Sequence, residues 1–336
     1  MKSALLSNPT AATYTDLGVW FAEQKQYACA ADAFATSLQI QPDQPDADNV
    51  VFMFGVSLYF SGNAKEAIPP LQVAESHGFH DVRLHLILAS ASDELHLTEA
   101  AEAEWRAALA VDAQSSPALD GLSRDLVANN DYAGSIALLE DPTIVGQRTA
   151  VQSLNLGLAY AKTARFEEAD KTLRDGLNTS PDSLELADEL ARVLQQLGQP
   201  QNAVAVLNLA YLQHPNDQDV ATDYLQMLSD ISPEKALELA RQLLLAFPQS
   251  SKLLYLSGVL ETKVGDVAQA RANLQQSIAL NPDFAPAYAA LGSVMARSND
   301  LPGAKQEWEK AIALGDIDPD VQQNLARVLK ILGEAK

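Results

Sequence analysis

Residues able to do chemistry are few, and most of them fall in one stretch. His77, His80, His85 and His96, four of the five histidines, lie within 20 residues, with Asp81 and Asp93 among them. Imidazoles and carboxylates are the donor set of a zinc site when their side chains converge on a point. His85 is at an inter-helix packing position and His96 lies in the turn about three helical turns further on, roughly 16 Å away at 1.5 Å per residue, too far to share an ion. The remaining combination, His77, His80 and Asp81, falls in a turn, where histidines are ordinary surface residues. The expectation is therefore no metal and no cofactor. Cys29 has no histidine near it in sequence and reads as a small buried packing residue rather than a nucleophile. The carboxylate pairs Glu167-Glu168 and Glu307-Glu309 fall on helix exteriors, where a solvated face is the default. Neither a glycine-rich phosphate loop nor a nucleophile elbow appears. Nothing here points to an enzyme.

The elements that carry these residues recur. One small residue returns about every 34 positions, as Ala30, Ala67, Ala101, Ser135, Ala169, Ala203, Ala236, Ala270 and Ala304. Blocks aligned on it start at residues 11, 48, 82, 116, 150, 184, 218, 251 and 285. A period of this size marks a stack of like supersecondary units, each burying its apolar face on the next. Every block holds two apolar patterns of helical spacing, such as Leu154, Leu156, Leu158 and Tyr160, then Phe166, Ala169, Leu173 and Leu177. Turn residues separate the two, as in Ser61-Gly62-Asn63 and Leu197-Gly198-Gln199-Pro200. Small residues at the eighth and twentieth block positions allow two helices to approach closely. Pro42, Pro181, Pro215, Pro248 and Pro282 end the second helix of their blocks. Runs with period two are missing, so the chain reads as all-α with about 19 helices.

Tyr14, Leu17, Gly18, Phe21, Ala30, Phe34 and Pro42 in the first block, and Tyr288, Leu291, Gly292, Ala304 and Trp308 in the ninth, make the pattern resemble the tetratricopeptide repeat. The resemblance implies a right-handed superhelical α-solenoid. It divides the chain into an N-terminal tail and helix start at 1–10, nine repeats over 11–318, and a capping helix and tail at 319–336. The fourth repeat departs most, with Ser123 and Ser135 at small-residue sites and Pro142 where the second helix should continue, which predicts a bend or softened joint. Repeat seven has Leu225 at the glycine position. Repeat eight has Ser257 and Glu261 at usually apolar places. Asn8 before Pro9 reads as the first N-cap. Leu325, Ala326, Leu329 and Leu332 form the covering face of the final helix.

Charge bounds the partners. With 23 Lys and Arg against 44 Asp and Glu, the net charge is −21, and a basic face for nucleic acid or anionic lipid is missing. The plain reading is a repulsive surface that keeps an apolar stack in solution; the sharper one is a partner of basic character. Apolar runs stay short of the roughly 18 residues that span a bilayer. The N-terminal stretch has no apolar segment of signal-peptide length, which favours a cytoplasmic over a periplasmic or secreted location. A single cysteine excludes an internal disulfide.

In tetratricopeptide repeats the first helix of each pair lines the concave side. Carried onto this chain, the inner block positions hold Phe52, Val56, Tyr59 and Phe60 in repeat two, Arg83, Leu86 and Ser90 in repeat three, and Arg124 in repeat four. They continue with Leu154, Leu158 and Lys162, then Arg192, then Lys252 and Tyr255. Apolar side chains there, with recurring arginines on an acidic chain, imply a peptide-binding groove formed by Phe52, Tyr59, Arg83, Leu86, Arg124, Leu154, Leu158, Arg192 and Tyr255. The family's carboxylate clamp is not reproduced, because its ninth-position residues are Val19, Val56, Ser90, Arg124 and Leu158 here. Two functions fit: a non-catalytic scaffold holding a partner's peptide or helix, or a structural, self-assembling module of a larger secreted or envelope-associated complex.

Overall fold

The computed structural model describes residues 9–142 and 148–334. Among the described residues there are 19 helices and no strand. Contacts divide the chain into two compact units, Met1–Thr179 and Ser180–Lys336. The first unit holds α1 (Ala11–Glu23), α2 (Tyr27–Ile40), α3 (Ala47–Phe60), α4 (Ala64–Ser76), α5 (Val82–Glu94), α6 (Thr98–Val111), α7 (Ser116–Ala128), α8 (Tyr132–Leu139), α9 (Ala150–Lys162) and α10 (Phe166–Thr179). The second holds α11 (Leu184–Gln196), α12 (Pro200–Gln213), α13 (Gln218–Ile231), α14 (Pro233–Ala246), α15 (Ser251–Val264), α16 (Val267–Leu280), α17 (Ala285–Arg297), α18 (Leu301–Ala313) and α19 (Pro319–Ile331). Within each unit consecutive helices pack antiparallel in pairs, and each pair packs on the next.

The pairing rests on a small residue facing a large one sixteen positions later. A Cβ placed on Gly18 would meet the Phe34 ring at 2.6 Å, on Gly55 the Leu71 side chain at 2.6 Å, and on Gly157 Leu173 at 2.5 Å. In the second unit Gly258 faces Leu274 and Gly292 faces Trp308, both at 2.7 Å. Ala30, Ala67, Ala101, Ala169, Ala203, Ala236, Ala270 and Ala304 are fully buried beside these contacts. The turn inside each pair is as regular. Lys25, Gly62, His96, Asn130, Ala164, Gly198, Gly265 and Asn299 share one block position and all have positive φ. That position reverses the chain in the left-handed region, which glycine and asparagine enter at least cost.

Repeat four departs from this plan. α8 stops at Leu139, after only 8 residues, and Pro142 lies in the following turn. The Arg148 guanidinium donates to the Leu139 carbonyl at 2.6 and 3.1 Å, occupying an acceptor the shortened helix leaves open. α9 is then tied to α7 by polar contacts: Gln152 Nε2 and Thr149 Oγ1 donate to Asp120 at 2.6 and 2.8 Å, and Asn155 Nδ2 donates to Ser123 Oγ at 2.9 Å. Ser135, standing for the usual alanine, is fully buried, and its hydroxyl has no hydrogen-bond partner among the described residues.

The helix ends correct two expectations. Asn8 lies outside the described residues, and α1 is capped by Thr10, which forms a capping box with Thr13. On α19 Val321 and Val328 are the buried residues, while Ala326 is exposed. The covering stripe thus runs Val321, Leu325, Val328 and Leu332.

Candidate functional site

In the first unit the inner faces of α3 and α5 meet α2 around an open cavity of about 560 Å³. Phe52, Met53, Val56, Tyr59 and Phe60 of α3 line it, with Arg83, Leu86, Ile87 and Ser90 of α5 and Tyr27 of α2. The side chains project here because α3 places residues 52, 53, 56, 59 and 60 on one face, three and four apart. Phe52 forms the floor, only 5% exposed and stacked on Phe79 at 4.5 Å between ring centroids. The Arg83 guanidinium covers it, 5.7 Å from the ring centre. Phe60 forms the open rim, 53% exposed and 5.2 Å from the Tyr27 ring.

Arg83 and Arg124, beside the cavity, are already ion-paired. Arg83 is ion-paired with Asp81, and the pairing holds the Asp81 carboxyl below its ordinary range. Arg124 pairs with Asp93 at 2.8 Å and lies 3.5 Å from Asp125. Next to the cavity the Tyr59 hydroxyl donates to Glu94 at 2.8 Å, and burial with this acidic neighbour raises its pKa. Asp125 accepts from Trp105 Nε1 at 3.0 Å, and burial, reinforced by Asp93, pushes its pKa up to about 6. Beyond the apolar cavity the surface is therefore carboxylate-rich around Asp93, Glu94 and Asp125.

Four of the expected groove residues, Phe52, Tyr59, Arg83 and Leu86, come together at this cavity. Arg124 lines a neighbouring cleft with Asp93, Glu94, His96 and Asp125. Leu154 and Leu158 are half-buried on α9 and are not part of the cavity wall. In the second unit Arg192 pairs with Asp188 and Glu189 on its own helix. Tyr255 packs edge-on against Phe284 at 5.2 Å, beside a cleft that includes Asp316, Asp318 and Asp320. The inner positions of first helices did not include Tyr27, which stands on a second helix; its aromatic character at the start of α2 was the available signal. Met53 and Ile87 were missed because each sits one position beyond a chosen one.

The histidines do not act as a group. His77 Nδ1 is 2.7 Å from Asp48, His80 is exposed, and Asp81 caps α5 while holding Arg83. His96 is a turn residue with φ of 58°. His85 alone is buried, 2.8 Å from Glu104. Burial raises the Glu104 pKa, against the lowering effect of that hydrogen bond. Cys29 corrects an expectation, since it is exposed: its neighbour Ala30 faces the α1 interface, and one residue along a helix turns the side chain about 100° outward.

Comparison with known proteins bears on this architecture. Residues 153–183 match the family model "Tetratricopeptide repeat". Over 134 residues, 40% of the chain, the sequence is 27% identical to Protein FlbA of Caulobacter vibrioides (strain ATCC 19089 / CIP 103742 / CB 15). The match spans 22% of that protein's length. The fold is similar to that of PilW, described as a widely conserved type IV pilus biogenesis factor, with a TM-score of 0.51 at 22% identity over 61% of this chain and 96% of that one. A chain of the APC/C hetero-tetramer Cut9-Hcn1 aligns with 96% of this chain and 70% of its own, with a TM-score of 0.50 at 14% identity. Among the described residues no helix is long and apolar enough to cross a membrane. With paired helices repeating within each unit and a further helix packed on the last pair, the described residues have the fold of tetratricopeptide-repeat structures, and residues 153–183 match that repeat's family model.

Proposed function

We propose that the chain is a non-catalytic scaffold that holds a short segment of a partner protein in the cavity between α2, α3 and α5. A large apolar side chain of the partner seats among Met53, Val56, Phe60 and Leu86, and a basic residue beside it meets Asp93, Glu94 and Asp125. The observation that carries this reading is the apolar cavity itself, open to water on a chain of net charge −21. Its size falls within the range of specific ligand sites, roughly 300–1,000 Å³. Charge sets the partner's sign, because Arg83 and Arg124 are already paired and the carboxylates around them outnumber them. The test is fluorescence anisotropy with three labelled peptide sets, apolar–basic, apolar–acidic and polar–basic. Apolar–basic peptides are expected to bind best, and Val56→Glu to abolish that binding. Equal binding of polar–basic peptides, or an unaffected Val56→Glu variant, would remove the site from this cavity.

A second reading, self-assembly, has its own support in the second unit. Leu209 and Leu212 stand one turn apart on α12 and are 58% and 65% exposed, and Leu245 on α14 is 86% exposed. Apolar side chains in water at this density suit a contact with another copy or domain. Sedimentation that stays monomeric over a wide concentration range would exclude the homotypic form.

A further inference from the structure

We infer that Glu75, His85 and Glu104 form a binding site for one zinc-type divalent cation. Glu75 stands in the last turn of α4, His85 in the first turn of α5 and Glu104 midway along α6, so three successive helices each supply one ligand. One donor atom from each lies within 4.8 Å of the other two. The imidazole is at the centre and buried, 6% exposed, whereas the two carboxylates reach it from either side.

A proton does not satisfy this arrangement. His85 Nδ1 carries at most one hydrogen, which serves Glu104 Oε2 at 2.8 Å and leaves Glu75 Oε1 at 3.9 Å, beyond hydrogen-bond reach. Two carboxylates with one protonated imidazole also leave a net negative charge at a partly desolvated site. A divalent ion with a neutral imidazole balances it. Zinc holds nitrogen and carboxylate oxygen at about 2.0–2.2 Å in a tetrahedron, which sets its ligand atoms about 3.3–3.5 Å apart. The 2.8 and 3.9 Å separations bracket that value, and the two carboxylates, within 4.8 Å of each other, close the third edge by side-chain rotation toward the imidazole. The Glu75 side chain is 39% exposed, which gives the ion a path from solvent and water access to a fourth position. A borderline ion is favoured over magnesium or calcium because the donor set includes imidazole. Bound there, the ion would tie α4, α5 and α6 together just behind Leu86 and Ile87, the α5 residues that line the apolar cavity.

The test is calorimetric titration of metal-free protein with Zn²⁺, together with the visible spectrum of the Co²⁺ form, which reports tetrahedral nitrogen and oxygen ligation. One equivalent is expected to bind, and Glu75→Gln and His85→Asn are each expected to weaken it at least about tenfold. His77→Gln, a histidine paired elsewhere with Asp48, is expected to leave the affinity unchanged. Glu75 lies at the rim, so its variant decides the matter even if His85→Asn does not fold, with circular dichroism confirming its helix content. No stoichiometric binding by the wild type, or equal binding by Glu75→Gln, would overturn the site and leave a hydrogen-bonded triad.

Discussion

The inner faces of repeats two and six place opposite chemistry on the same block positions. The fifth, ninth, twelfth and thirteenth residues are Phe52, Val56, Tyr59 and Phe60 on α3, but Asp188, Arg192, Gln195 and Gln196 on α11. The first set walls an apolar cavity of about 560 Å³; of the second, Asp188, Arg192 and Gln195 border a smaller cleft of about 250 Å³ with Asp223, Gln226 and Asp230. Burial, and then Asp223, raise the Asp188 pKa against the attraction of Arg192. Both regions share the same helix pairs. Positions that pack one helix on another are thus constrained alike in these two repeats, and positions that face outward from the pair are free to specialise.

The largest expected effect separates packing from recognition on the apolar face. Phe52 is 5% exposed and stacked on Phe79, so Phe52→Ala should lower stability by about 3 kcal/mol or more. Phe60→Ala, at a residue 53% exposed, should leave stability nearly unchanged while weakening apolar–basic peptides. Urea denaturation of both variants measures the contrast. Equal losses would mean that the whole face is core and that the cavity is not a recognition surface.

A smaller effect tests whether the scaffold is common to both regions. Gly55→Val and Gly258→Val each drive a side chain into the leucine sixteen residues on, Leu71 and Leu274, at nearly the same distance. Each should cost roughly 1–3 kcal/mol. Thermal melts that show a loss at one position and none at the other would break the claim that the pairing is equivalent.

How much of this was legible beforehand follows from the range of each contact. Pairing between Gly18 and Phe34, or Gly157 and Leu173, is local, recurs every repeat and could be read from spacing alone. The burial of Phe52 could not, because it depends on Phe79 in the connection between α4 and α5 and on Arg83 being held by Asp81. Recurring arginines suggested a cationic stripe; the partner of Arg192, Asp188, stands four residues before it on the same helix and was readable, whereas Asp93, the partner of Arg124, sits on another helix 31 residues away and was not. His85 was recognisable as a packing residue. Its convergence with Glu75 and Glu104 required the α4–α5–α6 geometry, since neither carboxylate is within one helical turn of it in sequence. Cys29 was misplaced by a single residue of helical phase.

Asp125 sharpens the electrostatic half of the comparison. Its pKa is raised to about 6 from 3.8, so the folded state binds its proton more tightly than the unfolded chain does. The sign follows: its contribution favours folding below about pH 4 and is lost as pH rises through about 6. Asp125→Asn keeps an acceptor for Trp105 Nε1 and removes the titration. The variant should therefore gain on the order of 1–2 kcal/mol over wild type at pH 7.5, shrinking toward zero at pH 4. Parallel urea titrations at both pH values check it; a difference independent of pH would assign the effect to packing.

The smallest effect belongs to the charged region. Lys252 on α15 reaches Asp223 on α13 at 3.5 Å, with side chains 47% and 34% exposed. Water screens such a pair, and the ordering of a long lysine side chain offsets much of its attraction, so Lys252→Ala should change stability by no more than about 0.5 kcal/mol. What it should change is the salt dependence, because one attractive contact is lost from a surface whose remaining charges repel. Melting temperatures in low and in molar salt would then differ less between the two conditions for wild type than for the variant. A loss approaching that of Phe52→Ala would show that charges on this face hold the repeats together, and the division between common packing positions and free inner positions would fail there.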